Sequence, residues 1–477
     1  MVKRSASDEA PTAKRVSTKK VLNQLDDYTH RYISVRPLDV FVWGTGSMCE
    51  LGLGPLAKNK EVKRPRLNPF LPQDKVGIVS IAVGGMHTLA LDKDNNIWSW
   101  GCNDYGALGR DTSGAKEKLK DANDSSDDED GDLNELESTP TKLPFKFEGT
   151  SEKDAKIVQL VATDNLSSVL LSDGTIYAWG TFRCNEGILG FYQDKIEVQR
   201  EPWVVPKFAK GKIVQMAGGK DHILFLDEAG IVYAWGNGQQ YQLGRKILDR
   251  FRLKTLYPLP FGLKKVKYIA SGENHCFALT ETGKVVSWGL NQFGQCGIGE
   301  SIEDGGIVAV PSQVMNLPLD NDSIRTISAG EHHSLFLMES GALYTCGRID
   351  MNEIGLLKKE LPTYAYKDEH ERVRAVPLPT KVVKTLEELD PEDDEDDREY
   401  KEMKFKNIAA GSHHSIAISQ DGKLYTWGFG ETYAVGQGPA GDDIEVPVKI
   451  TNTATKEVDM VLAGSGGQFS VSAGYKQ

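Results

Sequence analysis

Short apolar runs alternate with polar turns along almost the whole chain, and the alternation itself repeats. In AVGGMHTLALDKDNNIWSWGCNDYGALGR (Ala82–Arg110), one run ends at Asp92 and the next opens at Ile97, with Asp94-Asn95-Asn96 between them. Asp173-Gly174 and Asp421-Gly422 mark the same turn in other copies. Short runs bounded in this way predict strand, tight hairpin, strand. A Trp-Gly pair closes the second run at Trp43, Trp100, Trp179, Trp235, Trp288 and Trp427, and Cys346-Gly347 fills the remaining place. Neighbouring pairs are 57, 79, 56, 53, 58 and 81 residues apart. A Gly-x-x-His element opens the unit thirteen residues ahead of the pair, at His87, His222, His275, His333 and His414. Leu166 and Phe469 occupy the same slot without an imidazole.

A small antiparallel sheet cannot bury both of its faces alone, and radial stacking of such sheets solves the problem. A repeat of about 50 residues in seven copies therefore predicts an all-β, seven-bladed β-propeller. Six units lie between about residues 77 and 450. The seventh is split: VDMVLAGSGGQFSVSA (Val458–Ala473) supplies its early strands and DVFVWGTGSMCELGLG (Asp39–Gly54) its Trp-Gly strand. Pairing of N- and C-terminal strands in that blade closes the ring and removes the free sheet edges. The expected organisation is a basic, disordered tail at 1–37 and a propeller at 38–477, with acidic insertions at about 111–140 and 381–403.

Charge changes this picture in two places. The formal net charge is −12. Two runs, 121–137 and 387–399, hold a net −9 each, so the rest of the chain carries about +6. Runs of that composition stay disordered and solvated. The tail carries Lys3, Arg4, Lys14, Arg15, Lys19 and Lys20 against Asp8 and Glu9. Its readings are a nucleic-acid or nuclear-import signal, or a solubilising tail. Six cysteines in no metal-binding spacing predict reduced thiols and a reducing compartment. No apolar run approaches the roughly 18 residues of a membrane span, and the first twenty residues lack the apolar core of a signal peptide.

The repeated histidines are spread one per blade, so they predict no metal centre, which needs several ligands on one point. Each is expected to hydrogen-bond backbone at the start of its strand. Neither Gly44-Thr45-Gly46 nor Gly236-Asn237-Gly238 has the third glycine of a phosphate loop. No cofactor is expected.

The informative residues break the repeat. After Trp179-Gly180 the chain reads Thr181-Phe182-Arg183-Cys184-Asn185-Glu186-Gly187-Ile188-Leu189-Gly190, longer than in other units and bearing an aromatic, a cation and a carboxylate. Just before the slot, turns carry Asp164, Asp221, Asn274, His332 and His413. These are read as equivalent positions facing one side of the disc, either as turn caps or as contact residues. The segment RKILDRFRLKTLYPLPFGLKKVK (Arg245–Lys267) is strongly basic, with Phe251 and Tyr257 interleaved. It is either a solvated face or a dock for an acidic partner or phosphate backbone.

At these residues the chain resembles the regulator of chromosome condensation family, over residues 38–475. GTFRCNEGILG carries the resemblance most specifically, and the N-terminal FVWGTGSMCELGLGPLAKNKEVKRPRLNPFLP and WGFGETYAVG are similar to fungal members. The resemblance implies a guanine nucleotide exchange factor for the nuclear GTPase Ran, with no covalent chemistry. It implies a two-stranded wedge at Phe182, Arg183, Cys184, Asn185, Glu186, Gly187, Ile188 and Leu189, aided by Asp164 and Asp221. GTPase contacts fall on Arg245 and His332. Chromatin contacts fall on Lys3, Arg4, Lys14, Arg15, Lys19, Lys20, Arg245, Lys246, Arg250 and Arg252. The implied partners are Ran and nucleosomal histones or DNA, with no membrane. The implied protein is a nuclear monomer serving nucleocytoplasmic transport and mitosis. The alternative is a propeller of the same superfamily that only scaffolds.

Overall fold

A computed structural model describes residues 33–114, 132–248, 256–299, 306–388 and 398–476. The chain forms a seven-bladed β-propeller. Blade 1 comprises Ile78–Val83, His87–Asp92, Ile97–Gly101 and Thr141–Lys142. Blade 2 is Ile157–Ala162, Leu166–Leu171, Ile176–Gly180 and Gln199–Val204; blade 3 is Ile213–Gly218, His222–Asp227, Val232–Gly236 and Leu259–Pro260. Blades 4, 5 and 6 open at Val266, Ile324 and Phe405, and blade 5 gains a fifth strand, Tyr366–Lys367. Blade 7 is the composite: Val458–Ser465 and Phe469–Lys476 pair with Asp39–Thr45 and then Glu61–Leu67. Asp39 faces Gly474 and Gly44 faces Phe469, so the ends of the chain share six rungs of one ladder.

The innermost strands line a central cavity of about 460 Å³. The second strand of blade 1 is buried along its whole length, as are those of blades 2, 3, 5 and 6, because neighbouring sheets cover both faces. The glycine after each Trp is required by geometry. Gly101 has φ of +112°, and a Cβ there would stand 2.5 Å from the Met86 carbonyl oxygen. Only glycine accepts both conditions.

The histidines bind something other than the expected backbone. His87 Nε2 lies 2.8 Å from Ser167 Oγ in the next blade. Ser167 in turn donates to the Ala107 carbonyl of blade 1 at 2.8 Å, and Trp179 Nε1 donates to the same oxygen at 2.7 Å. Since the hydroxyl proton goes to the carbonyl, the imidazole donates from Nε2. The bolt recurs at His333–Ser415 (2.8 Å) on the Glu353 carbonyl and at His414–Ser470 (2.8 Å) on the Ala434 carbonyl. His275 meets Ser334 at 2.7 Å, and His222 meets Cys276 and Ser271. Each bolt spans two blades, so the imidazole's partner is 49 or more residues away in sequence. Burial pushes His87 down to about 4 and His222, His275 and His414 to about 3, so these rings are neutral. The blade 2–blade 3 joint has no such bolt, since Leu166 and Ile223 stand in the two polar slots.

The acidic runs are more ordered at their ends than expected. Asn134 caps the short helix Glu135–Ser138, and Glu137 accepts from Thr112 Oγ1 at 2.8 Å. Glu387 accepts from Tyr425 Oη at 2.9 Å and Lys449 Nζ at 2.7 Å. Hydroxyls and a cation supplied by the blades offset the cost of ordering these carboxylates. Residues 115–131 and 389–397 lie outside the described residues.

Candidate GTPase-facing rim and hairpin

In blade 1 the chain leaves Trp100-Gly101 through a compact turn. Asn103 Oδ1 accepts the Leu108 N–H at 2.9 Å, and Asn103 Nδ2 donates to the Arg110 carbonyl. Blade 2 has no counterpart to that asparagine and builds a hairpin instead. Phe182–Cys184 pairs antiparallel with Gly187–Gly190 around Asn185-Glu186. Phe182 and Leu189 are buried at the root, whereas Arg183, Asn185, Glu186 and Ile188 are exposed. The loops of blade 3 brace one side. Asp221 Oδ1 accepts the Arg183 backbone N–H at 2.7 Å, and Gln239 Oε1 accepts that of Asn185 at 2.9 Å. Gln239 Nε2 also donates to Glu186 Oε2 at 3.1 Å. On the other side the Arg183 guanidinium lies 5.3 Å from the Tyr105 ring centroid. Burial pushes the Asp221 carboxyl up to about 6, although the Arg183 N–H favours its ionised form.

The turns that follow the innermost strands converge on one mouth of the channel. Two residues ahead of the slot they carry Gly85, Asp164, Lys220, Glu273, Glu331, Ser412 and Gly467 in blade order. Asp164 and Asp221 are therefore not equivalent, contrary to the sequence reading. Counted from Leu166, the counterpart of Asp221 is Asn165, and Asp164 matches Lys220. The offset has a physical effect: Asp221 reaches outward to the hairpin, whereas Asp164 faces the mouth. Lys220 Nζ lies 3.8 Å from Asp164 Oδ2 and 3.1 Å from Glu273 Oε2, and Ser412 Oγ donates to Glu273 Oε1 at 2.6 Å. Burial, and then the charge of Glu273, hold the Asp164 carboxyl above the usual carboxylate range. Further round, Glu331 Oε2 lies 3.8 Å from His332 Nδ1 and 3.4 Å from His413 Nε2. His332 stands edge-on to Phe293, and burial pushes it down to about 4. Half-buried Arg245 donates to the Pro260 carbonyl at 3.3 Å, and Lys246 beside it is exposed.

A model of the RCC1-like domain matches residues 39–472. The chain belongs to this family. Guanine nucleotide exchange factor SRM1 of Saccharomyces cerevisiae is 63% identical over 474 residues, covering 99% of this chain and 94% of that protein. Protein RCC1 of Candida albicans is 51% identical, with 92% and 91% covered. Among solved structures, Prp20p from Saccharomyces cerevisiae, described with its binding properties to Gsp1p and histones, has a TM-score of 0.85. It is 62% identical, with 95% of each chain covered. Yeast RCC1 (Prp20) bound to Kap60 has a TM-score of 0.86 at 60% identity, covering 100% of this chain and 97% of that one.

In this RCC1-like chain the hairpin and Asp221 form one contiguous feature, while Asp164 lies at the neighbouring mouth and His332 stands further round against Phe293. Phe182 and Leu189 belong to the core and leave the hairpin's outer face to Arg183, Cys184, Asn185, Glu186, Gly187 and Ile188. Lys3, Arg4, Lys14, Arg15, Lys19, Lys20, Arg250 and Arg252 lie outside the described residues. Sequence reading missed Gln239, Tyr105, Lys220 and Glu273. Counting back from each slot in turn brings out the last two, with Asp164 and Glu331, as the charged members of a ring that also holds glycines.

Proposed function

We infer that this protein is a guanine nucleotide exchange factor for the Ran GTPase, acting at chromatin in the nucleus. The observation that carries the reading is the hairpin Phe182–Gly190, braced by Asp221 and Gln239 where the compared blade has a compact turn. The activity in the name of the 63% identical relative, and the Gsp1p and histone binding ascribed to Prp20p, support it.

The reaction breaks no covalent bond. The protein binds the nucleotide-free GTPase more tightly than the loaded one, so by linkage bound nucleotide weakens the factor as much as the factor weakens nucleotide. An acceleration of ~10⁵-fold corresponds to about 7 kcal/mol of preferential binding to the release transition state. The exposed side chains of the hairpin displace the GTPase's phosphate-binding loop and its magnesium. Asp221 and Gln239 hold the hairpin's backbone during that displacement, and Asp164, Arg245 and His332 contact the GTPase around it. Reloading follows mass action, because cells hold more GTP than GDP. The basic tail at 1–37 and Lys246, Arg250 and Arg252 hold the product's source on chromatin.

Release of a fluorescent GDP analogue from Ran, with catalytic amounts of the full-length protein, tests the reading. Strong acceleration is expected. Folded protein that leaves the release rate unchanged would overturn it and leave the scaffold alternative.

A further inference from the structure

The hairpin's root differs from every other joint that carries a tryptophan. Trp235 is fully buried, and its indole N–H has no hydrogen-bond partner among the described residues. In the other blades with a Trp-Gly pair that N–H reaches a carbonyl in the preceding blade's turn, as Trp288 reaches Gln242 at 2.9 Å and Trp100 reaches Glu50 at 3.0 Å. In blade 2 the segment that would supply the carbonyl has become the hairpin. Rings surround the indole instead: Phe182 at 4.9 Å and Phe191 at 5.3 Å between centroids, both edge-on. Phe191 is itself edge-on to Trp203 at 5.6 Å. Leu256 closes the base, its carbonyl accepting the Gln193 N–H at 2.8 Å.

We propose that Trp235 and Phe191 are positioning residues for nucleotide exchange, forming a rigid apolar seat that sets the angle at which the hairpin leaves the rim. A two-stranded hairpin is marginal by itself, and the hydrogen bonds to Asp221 and Gln239 and the Arg183–Tyr105 contact that brace its outer part are solvent-exposed. Stiffness against a displaced partner loop therefore comes from the root. Edge-on rings supply it without an oriented polar partner, since aromatic pairs have preferred angles of their own. An indole retained with its N–H unpaired, at the cost of burying a polar group without a partner, is explained by a need for a large ring at that place.

The inference rests on the exchange reading, so its test has a readout independent of activity. Full-length Trp235→Leu, Trp235→Phe and Trp288→Leu are compared by exchange kinetics, thermal melting and hydrogen exchange over residues 182–190. Trp235→Leu is expected to lose ~10-fold or more in kcat with KM changed by less than about twofold, because the hairpin is misplaced rather than the docking surface. The Arg183 and Asn185 amides should exchange faster in the same variant. Trp235→Phe keeps a ring and should retain both kcat and protection. Trp288→Leu should melt earlier yet keep kcat while folded. Wild-type kcat and protection in Trp235→Leu would overturn the proposal, as would an equal loss of kcat in Trp288→Leu. If Trp235→Leu does not fold, Phe191→Leu is read in the same way. If the wild-type protein shows no exchange activity, the functional reading fails and amide protection alone decides the seat.

Discussion

Blade 2 is fixed to its neighbours in two different ways. Toward blade 1 the joint is polar: His87, Ser167 and Trp179 converge on the Ala107 carbonyl. Toward blade 3 the matching place is apolar, with Leu166, Ile223, Phe182, Phe191 and Trp235 packed together. The polar joint uses the turn after Trp100-Gly101 as structure. The apolar joint releases the corresponding chain from that duty, and the released chain projects as the hairpin. The same blade thus shows that the repeat's bolt and a functional protrusion compete for one segment.

Excising residues 183–188 gives the sharpest test of that division. Exchange on Ran should fall by ~10²-fold or more, while the melting temperature stays close to wild type because Phe182 and Leu189 remain in the core. A large loss of melting temperature would mean that the tip also holds the joint. Acid should weaken the polar joints, while the raised carboxyls of Asp164 and Asp221 oppose it. Folded-state values of about 3 to 4 lie below the ordinary 6.5, so the unfolded chain binds more protons between those limits. The histidines' contribution is therefore full above about 6.5 and is lost as pH falls, by up to about 1.4 kcal/mol per histidine per pH unit. Converting the polar joint to the apolar type with His87→Leu and Ser167→Ile should flatten this slope by about one proton while leaving exchange unchanged. Denaturant titrations at several pH values measure it.

Asp221→Ala removes an ionised acceptor worth about 1.5–3 kcal/mol to its partner. We expect at least a tenfold loss of exchange, with far less change in melting; equal losses of both would place Asp221 in the fold rather than the reaction. The smallest effect compares the two indoles. Trp179→Phe loses a bonded N–H and should cost about 1 kcal/mol more than Trp235→Phe, whose N–H is unpaired. Equal costs by urea unfolding would erase the distinction between the joints.

The ring was legible in the sequence because its determinants are local. Each Trp-Gly pair, each turn and the half-repeats at the two ends can be read within a few residues. The hairpin was legible as a departure from that local pattern, though not the burial of Phe182 and Leu189 at its root. What the histidines bind was not legible, because Ser167 lies 80 residues from His87 and only the radial stacking brings them together. Asp164 was misaligned with Asp221 for a related reason. Leu166 hides the slot in blade 2, and one residue of offset separates a side chain that reaches the hairpin from one that faces the channel. The edge strand Glu61–Leu67 alternates weakly and contains Pro65, which hides it in a polar stretch.

Closure of blade 7 also imposes an order in time. Asp39–Thr45 leaves the ribosome early, but Phe469–Lys476, which pairs with it, is translated only after the six intervening blades. At roughly 5–20 residues per second the first strand waits on the order of 20–90 s for its partner. During that interval every nascent chain carries an open edge at Asp39–Thr45, and a message truncated anywhere upstream of Phe469 yields a product that never closes. The ring is thus held open until both halves of blade 7 exist.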